Sequence, residues 1–156
     1  MRRRVLVAAV LASAFLPWFV GAIITAEPPK ETREFSGKVV AVAGILEREG
    51  APLDKDAAAA WLALLSDDGR LRPIVKDAGS RMLFKDERLR DRPVILRGRL
   101  VGRDQFLQVF QVVTVVEGRR HEPFYWCDIC KIKRFEPNDC DCCGAPLEFR
   151  EEPVDR

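Results

Sequence analysis

Two Cys-x-x-Cys pairs near the C-terminus constrain this chain more than any other feature of its sequence. They use four of the five cysteines, and nine residues separate the two pairs. The paired residues are Cys127, Cys130, Cys140 and Cys143. Four thiolates at this spacing suit the tetrahedral coordination of a structural Zn²⁺ site. Gly144 comes directly after the second pair, and it predicts a tight turn whose backbone N–H groups point at sulfur.

The fifth cysteine leaves alternatives open. Cys142 could replace Cys140 or Cys143 as a ligand, or stay unliganded. Disulfides are a second interpretation, because exported thiols pair in an oxidising compartment, although five cysteines cannot all pair. A redox Cys-x-x-Cys or an iron–sulfur cluster is a third. With a short hairpin between the pairs, residues 121–150 resemble a zinc ribbon, which implies about one Zn²⁺ per chain in a structural role.

The N-terminus is typical of an export signal or a membrane anchor. Three arginines at positions 2 to 4 precede an uncharged run over residues 5–25, and a linker rich in proline and charge occupies residues 27–34. The arginines predict a cytoplasmic N-terminus and export of the rest of the chain to the periplasmic or extracellular side. The run approaches the ~20 residues that span a bilayer, which favours a retained anchor over residues 1–26. Pro17 interrupts the run, however, and cleavage after Ala26 would release a secreted protein.

The charge of the body argues against nucleic acid as a partner. The whole chain has 26 basic and 24 acidic residues. Three of the basic residues are the N-terminal arginines, so 23 basic residues face 24 acidic ones in the remainder. Affinity for nucleic acid comes largely from neutralising phosphates, and a body near neutrality supplies little of it.

Residues 35–117 alternate between short strand-like runs and turn signals. Strands are predicted over residues 35–43, 61–66, 70–76, 93–101 and 105–116. Gly44 predicts a bulge or bend after the first strand, and Pro73 predicts an edge position or a gap in pairing for the third. Residues 47–56 are predicted to be a loop, with a short helical turn over residues 55–60. Ser80 predicts the N-cap of a helix over residues 81–89.

This order of strand, strand, strand, helix, strand, strand resembles the oligonucleotide/oligosaccharide-binding (OB) fold, a five-stranded barrel. The predicted fold class is therefore mainly β. An N-terminal transmembrane or signal helix precedes an OB-like barrel over residues 35–117, in which one helix lies between strands 3 and 4. A small zinc-ribbon-like hairpin and a tail over residues 151–156 complete the chain. A helix that ran on to Leu65 would remove the second strand and with it the barrel.

Three aromatic residues of the body raise the question of a ligand. Trp61, Phe106 and Phe110 could stack on one, but core packing is the favoured interpretation. Arg97 and Arg99 share one strand face, for which ion pairs with nearby acidic residues are favoured over an anion-binding groove. The sequence contains no Gly-rich phosphate loop, Gly-x-Ser-x-Gly elbow or His-Glu-x-x-His helix.

A second family resemblance rests on the only histidine. His121, Glu122 and Tyr125 resemble the motif of the membrane-anchored haem chaperone of cytochrome c maturation, which also joins an exported OB barrel to one membrane segment. The resemblance implies that His121 binds haem and that Tyr125 supports it. Pro123 departs from that motif, and the haem carrier lacks a cysteine-rich tail. A ligand set of three cysteines with His121 is a further alternative.

Together these features predict a non-enzymatic, membrane-anchored, exported binding module with a structural zinc site and an unidentified partner. The alternative is a thiol–disulfide or metal- or haem-handling protein that uses Cys127 and Cys130, or His121. A closed shell of four thiolates leaves no position for a zinc-bound water, so hydrolytic chemistry is not expected.

Overall fold

A computed structural model describes residues 31–54 and 60–154 of the chain. Within these residues lie eight strands: β1 (Arg33–Ala41), β2 (Leu62–Ser66), β3 (Leu71–Pro73), β4 (Pro93–Val101), β5 (Phe106–Val116), β6 (Arg119–Cys127), β7 (Ile132–Arg134) and β8 (Glu148–Pro153). The helices are α1 (Val42–Arg48), α2 (Arg81–Lys85) and a 3-10 helix (Glu87–Leu89). The prediction of a mainly β protein is confirmed.

The strands form one antiparallel sheet in the order β3-β2-β1-β4-β5-β6-β7, and β8 pairs with the other edge of β6. β1 is an interior strand, since it pairs with β2 through Val39 and Leu64 and with β4 through Phe35 and Leu96. β4 and β5 form a long hairpin whose register shifts between Arg97 and Gly98. The sheet therefore passes without a break from the body into the C-terminal strands.

The core lies between this sheet and the helical segment before β4. Val39, Leu96 and Val109 on the sheet are fully buried, as are Leu83 of α2 and Leu89 of the 3-10 helix. The alternation of apolar residues on β4 and β5 supplies one side of this core, which is the reason the strand predictions succeed there.

Gly98 lies at the register shift between β4 and β5. A Cβ at this residue would lie 2.2 Å from the backbone oxygen of Gln108. The glycine therefore allows a close backbone approach that a residue with a Cβ would block.

The predicted closed barrel is not observed, because the sheet of the described residues is open. One parallel bridge joins Ile74, just after β3, to Leu107 of β5. Val75 N–H donates to the Leu107 carbonyl oxygen at 2.9 Å beside it. β3 is only three residues long and ends at Pro73, which has no N–H to donate to a neighbouring strand. The edge position predicted for Pro73 is confirmed.

Several local predictions were wrong. β1 ends at Ala41, and Gly44 lies inside α1 rather than in a bend. Val42, Ile45 and Leu46 recur at helical spacing, and this period prevailed over the alternation that extended β1 to residue 43.

The second strand is present, as predicted, over Leu62–Ser66. The helical turn predicted over residues 55–60 falls largely on residues 55–59, outside the described part of the chain.

The helix predicted over residues 81–89 is divided in two at Asp86, whose backbone is extended. The Asp86 carboxylate accepts the Arg88 backbone N–H at 3.0 Å and so caps the 3-10 helix instead. Ser80 does not cap α2 through its side chain. Its hydroxyl donates to the Val75 carbonyl oxygen at 2.6 Å and accepts from the Asp77 N–H at 3.1 Å.

The predicted anchor or signal over residues 1–26 lies outside the described residues. Among residues 31–54 and 60–154 there is no helix of the length and apolar character needed to cross a bilayer.

The core packing favoured for three aromatic side chains is wrong, because Trp61, Phe106 and Phe110 are 59%, 43% and 49% exposed.

Candidate metal centre

β6 carries the chain from the body directly into the first cysteine pair. β7 pairs with one edge of β6, with Cys127 opposite Ile132, and β8 pairs with the other, with Trp126 opposite Glu148. We call β6 to β8 with their connecting loops, residues 119–153, the cysteine module. Because β6 is the middle strand of this module, the first pair starts from a backbone that is held on both sides.

The two Cys-x-x-Cys pairs adopt the same turn. Lys131, the residue after the first pair, has φ 56°, and Gly144, the residue after the second, has φ 71°. Lys131 N–H donates to the Cys127 carbonyl oxygen at 2.8 Å, and Gly144 N–H donates to that of Cys140 at 2.7 Å. The tight turn predicted from Gly144 is confirmed, and the first pair achieves it with a lysine in the left-handed region.

These equivalent turns bring four thiols together. The sulfur atoms of Cys127, Cys130, Cys140 and Cys143 all lie within 4.8 Å of one another. The Cys127 and Cys143 sulfurs are 3.6 Å apart. All five cysteines are free thiols, so no disulfide joins them.

The spacing of the sulfurs fits a tetrahedral metal ion. A zinc ion with Zn–S bonds of ~2.3 Å holds its sulfurs about 3.8 Å apart, close to the distances here. A disulfide needs sulfurs at about 2.05 Å, far closer than the Cys127–Cys143 distance. A set of four thiolates selects zinc or an iron–sulfur centre over hard cations such as Mg²⁺. The site therefore fits a metal ion.

Backbone N–H groups point at sulfur in both turns. Cys130 N–H donates to the Cys127 sulfur at 3.4 Å. In the second turn the backbone N–H groups of Cys143 and Cys142 donate to the Cys140 sulfur and lower the pKa of that thiol to about 7. Hydrogen bonds of this kind stabilise thiolate, the form that binds metal. Backbone hydrogen bonds in the second turn therefore favour the thiolate form of Cys140.

The cluster has a protected side and an exposed side. Cys127 and Cys140 are buried, Cys130 is half-buried, and Cys143 is exposed. Cys142 is exposed as well, and it hydrogen-bonds through its side chain to Cys130. That bond, together with contacts from the other cysteines, raises the pKa of the Cys130 thiol. Cys142 is thus a fifth sulfur at the open side of the cluster, outside the set of four.

Charged pairs flank the cluster. Asp128, inside the first pair, accepts from the Trp126 indole N–H at 2.9 Å and lies 3.3 Å from Arg150 and 3.6 Å from Lys131. Asp141, inside the second pair, accepts from Arg134 Nε at 2.8 Å. Arg150 also pairs with Glu148 at 2.6 Å, so the three cations and three carboxylates beside the cluster balance one another.

A buried network joins the cysteine module to the body. Tyr125 is 1% exposed, and its hydroxyl donates to Asp86 Oδ2 at 2.6 Å. Arg88 also donates to Asp86, with Nη2 2.6 Å from Oδ2. The Arg88 guanidinium lies 4.2 Å from the centroid of the Phe149 ring on β8. Tyr125, two residues before the first cysteine pair, is therefore fixed to the body.

This network shifts the ionisation of both partners. Burial raises the pKa of the Tyr125 hydroxyl, and its hydrogen bond to Asp86 raises it further. Burial alone would raise the pKa of Asp86, but hydrogen bonds from Arg88 and Tyr125 outweigh it and hold that pKa below its usual value. The interaction is thus one between a neutral tyrosine and a carboxylate.

Two further contacts hold the module in place. Glu136, in the loop after β7, pairs with Arg81 at 2.6 Å and with Lys85 at 3.3 Å, both on α2. Glu151 of β8 accepts from the Thr114 hydroxyl at 2.5 Å and pairs with Arg92 at 3.0 Å. The module is therefore fastened to α2, to β5 and to the residue just before β4.

The residues of the haem resemblance lie on β6. The His121 ring nitrogen Nδ1 is 3.1 Å from the Arg119 carbonyl oxygen, and the residue is half-buried. The Tyr125 hydroxyl is buried and committed to Asp86. Nothing in these contacts tests haem binding, which stays a prediction.

Sequence reasoning missed the role of Asp86 and the whole of β8. The only signal for the role of Asp86 was the position of Tyr125, the sole tyrosine, two residues before the first cysteine pair. β8 (Glu148–Pro153) is rich in charge and lacks the apolar alternation of a strand.

The class of site is defined by the geometry alone: a four-cysteine cluster on a three-stranded β module, able to hold one metal ion. Comparison with protein families, with curated proteins and with solved structures found no match to this chain.

Proposed function

We propose that this chain is a non-enzymatic binding protein in which a structural Zn²⁺ ion, held by the four-cysteine cluster, stabilises the C-terminal module. The observation that carries the proposal is the approach of four sulfurs to within 4.8 Å of one another on two equivalent turns. The ligands are Cys127, Cys130, Cys140 and Cys143. Zinc would supply cross-links between β6 and the second turn that the thiols alone do not make.

A structural role is supported by the ligand set and its setting. Four thiolates complete the tetrahedral shell of zinc and leave no site for substrate or water. The ligands lie beside strands that belong to the main sheet, so metal binding would stabilise the fold itself. The module, once fastened, would present a surface to a partner.

The remainder of the proposal concerns the body and its location. The pairing of β1 with both β2 and β4, and the helix between β3 and β4, support an OB-like arrangement, in the partly open form that this fold allows. The arginines at positions 2 to 4 and the apolar run after them support an exported body, anchored in the membrane by residues 1–26.

Metal analysis of the full-length chain, purified under reducing conditions, tests the central claim. We expect one zinc per chain, with Cys130→Ser losing most of it. Removal of the metal by a chelator should unfold the module and lower the melting temperature. A chain that is folded, reduced and free of zinc after incubation with the ion would refute the proposal.

A second candidate function is thiol–disulfide exchange or metal handling. It is favoured by the exposed sulfurs of Cys142 and Cys143 at the open side of the cluster, next to half-buried Cys130. Rapid reaction of the zinc-loaded chain with a thiol reagent, with release of the ion, would support it over the structural role.

Haem handling through His121 is tested separately. Addition of haem should then give a Soret band that His121→Ala removes. A Soret band of equal strength in the two proteins would reject the role of His121.

A further inference from the structure

The body has an apolar pocket on the side of the sheet near β3. It has a volume of about 600 Å³. The lining includes Trp61, Leu71, Pro73, Ile74, Phe84 and Phe106. Trp61 and Phe106 are the two exposed aromatic residues at its edge, with 59% and 43% of their surface exposed. Exposed aromatic side chains around a concave apolar surface are typical of a binding site.

The composition of the lining limits the ligand. Among the described residues that line the pocket, Lys76 is the only charged one. Its ammonium nitrogen lies 5.3 Å from the centroid of the Phe84 ring, so the cation is at the apolar wall. A ligand that matches this surface has a long apolar portion and one negative charge.

Other classes of occupant fit less well. A nucleic acid strand needs several cations along its backbone, and the described lining offers one. The volume lies within the ~300–1,000 Å³ of small-molecule sites, which suits a single acyl chain better than a two-chain lipid.

We propose that this pocket binds the acyl chain of a free fatty acid, with Lys76 pairing with the carboxylate. Trp61 and Phe106 cover the chain at the edge, and Ile74 and Phe84 form the apolar floor. The cysteine module contributes no described residue to the lining, so this binding is independent of the metal site and of the function proposed for it.

Quenching of tryptophan fluorescence by 12-bromododecanoate, with the full-length chain, tests the proposal. Bromine quenches only nearby indoles, and Trp18 lies in the proposed anchor, so the measurement uses a Trp18→Phe background. We expect saturable quenching that Trp61→Phe removes and Trp126→Phe preserves. Unbrominated dodecanoate should compete for the site, and dodecanol should compete about tenfold less well because it lacks the charge. Quenching that does not saturate, or that survives in Trp61→Phe, would overturn the site.

Matched variants separate the two parts of the proposal. Lys76→Gln should raise the dissociation constant about tenfold, whereas Lys38→Gln, an exposed lysine on β1 outside the lining, should not change it. Phe106→Glu should abolish binding because it places a charge at the apolar edge. Phe110→Glu, at a similarly exposed residue of the same strand outside the lining, should leave binding intact. Equal effects within either pair would overturn the proposal.

Discussion

The hydrogen bond between Tyr125 and Asp86 should be the strongest single polar link between the cysteine module and the body. Tyr125→Phe removes the hydroxyl and keeps the ring, whose centroid lies 5.6 Å from that of Phe149. The bond it removes is 2.6 Å long, buried and made to a charged acceptor. Hydrogen bonds to charged groups contribute about 1.5–3 kcal/mol. Asp86 keeps its contacts with Arg88, so the cost should stay near ~2 kcal/mol.

Urea unfolding of the zinc-loaded chain at neutral pH measures this effect. With a slope of about 2 kcal/mol per molar urea, a loss of ~2 kcal/mol lowers the midpoint by about 1 M. Trp126→Phe is the control, since it deletes an exposed hydrogen bond to Asp128 from the next residue of the same strand. The control should cost less than about 0.5 kcal/mol. Equal losses in the two variants would refute the reasoning.

The effect of pH on this difference has a definite sign. The pKa of Asp86 is lower in the folded protein than its usual value. The carboxylate therefore contributes stability that is fully present above the unfolded pKa of about 3.9 and is lost as pH falls through the lower folded value. The gap between wild type and Tyr125→Phe should be constant near neutrality and shrink in acid. Metal loss in acid would itself break the module, so metal analysis accompanies each unfolding curve, and only pH values at which both proteins still hold zinc test the sign.

The cluster and the sheet give further predictions. Cys142→Ser should retain one zinc per chain by metal analysis, while Cys143→Ser should retain far less. Retention in both would show that Cys142 substitutes as a ligand. Gly144→Ala should cost about 1–2 kcal/mol in urea unfolding, because its φ of 71° strains any Cβ although nothing lies within 4 Å of it. Lys131→Gly should leave the free energy of unfolding unchanged or raise it, because Lys131 has a positive φ of 56° that glycine adopts without strain. A marked loss of stability would contradict this. Gly98→Ala should lower the melting temperature sharply, because the added Cβ would lie only 2.2 Å from the Gln108 backbone oxygen. An unchanged melting temperature would argue against the close approach of β4 and β5.

The parts of the fold that sequence predicted are those encoded locally. The cysteine pairs, their turn at Gly144 and the bounds of β4 depend on neighbouring residues alone. β4 was predicted over residues 93–101 and is observed over Pro93–Val101, because Val94, Leu96 and Leu100 share one face of the strand and Pro93 marks its start.

The parts that sequence did not predict depend on distant partners. β8 is a strand because β6 is beside it, although its own residues have no strand period. No local pattern paired the Tyr125 hydroxyl with Asp86, which lies 39 residues earlier. The exposure of Trp61 and Phe106 likewise depends on where the open sheet ends, which no local pattern contains.

The pairing of β8 with β6 has a mechanical consequence. The ladder runs over six pairs, from Pro153 opposite His121 to Glu148 opposite Trp126. A pull on the C-terminus would open these pairs one after another, like a zipper, beginning at the end remote from the cysteines. A force applied through the C-terminus would therefore detach β8 from β6 residue by residue before it acted on the cysteine ligands.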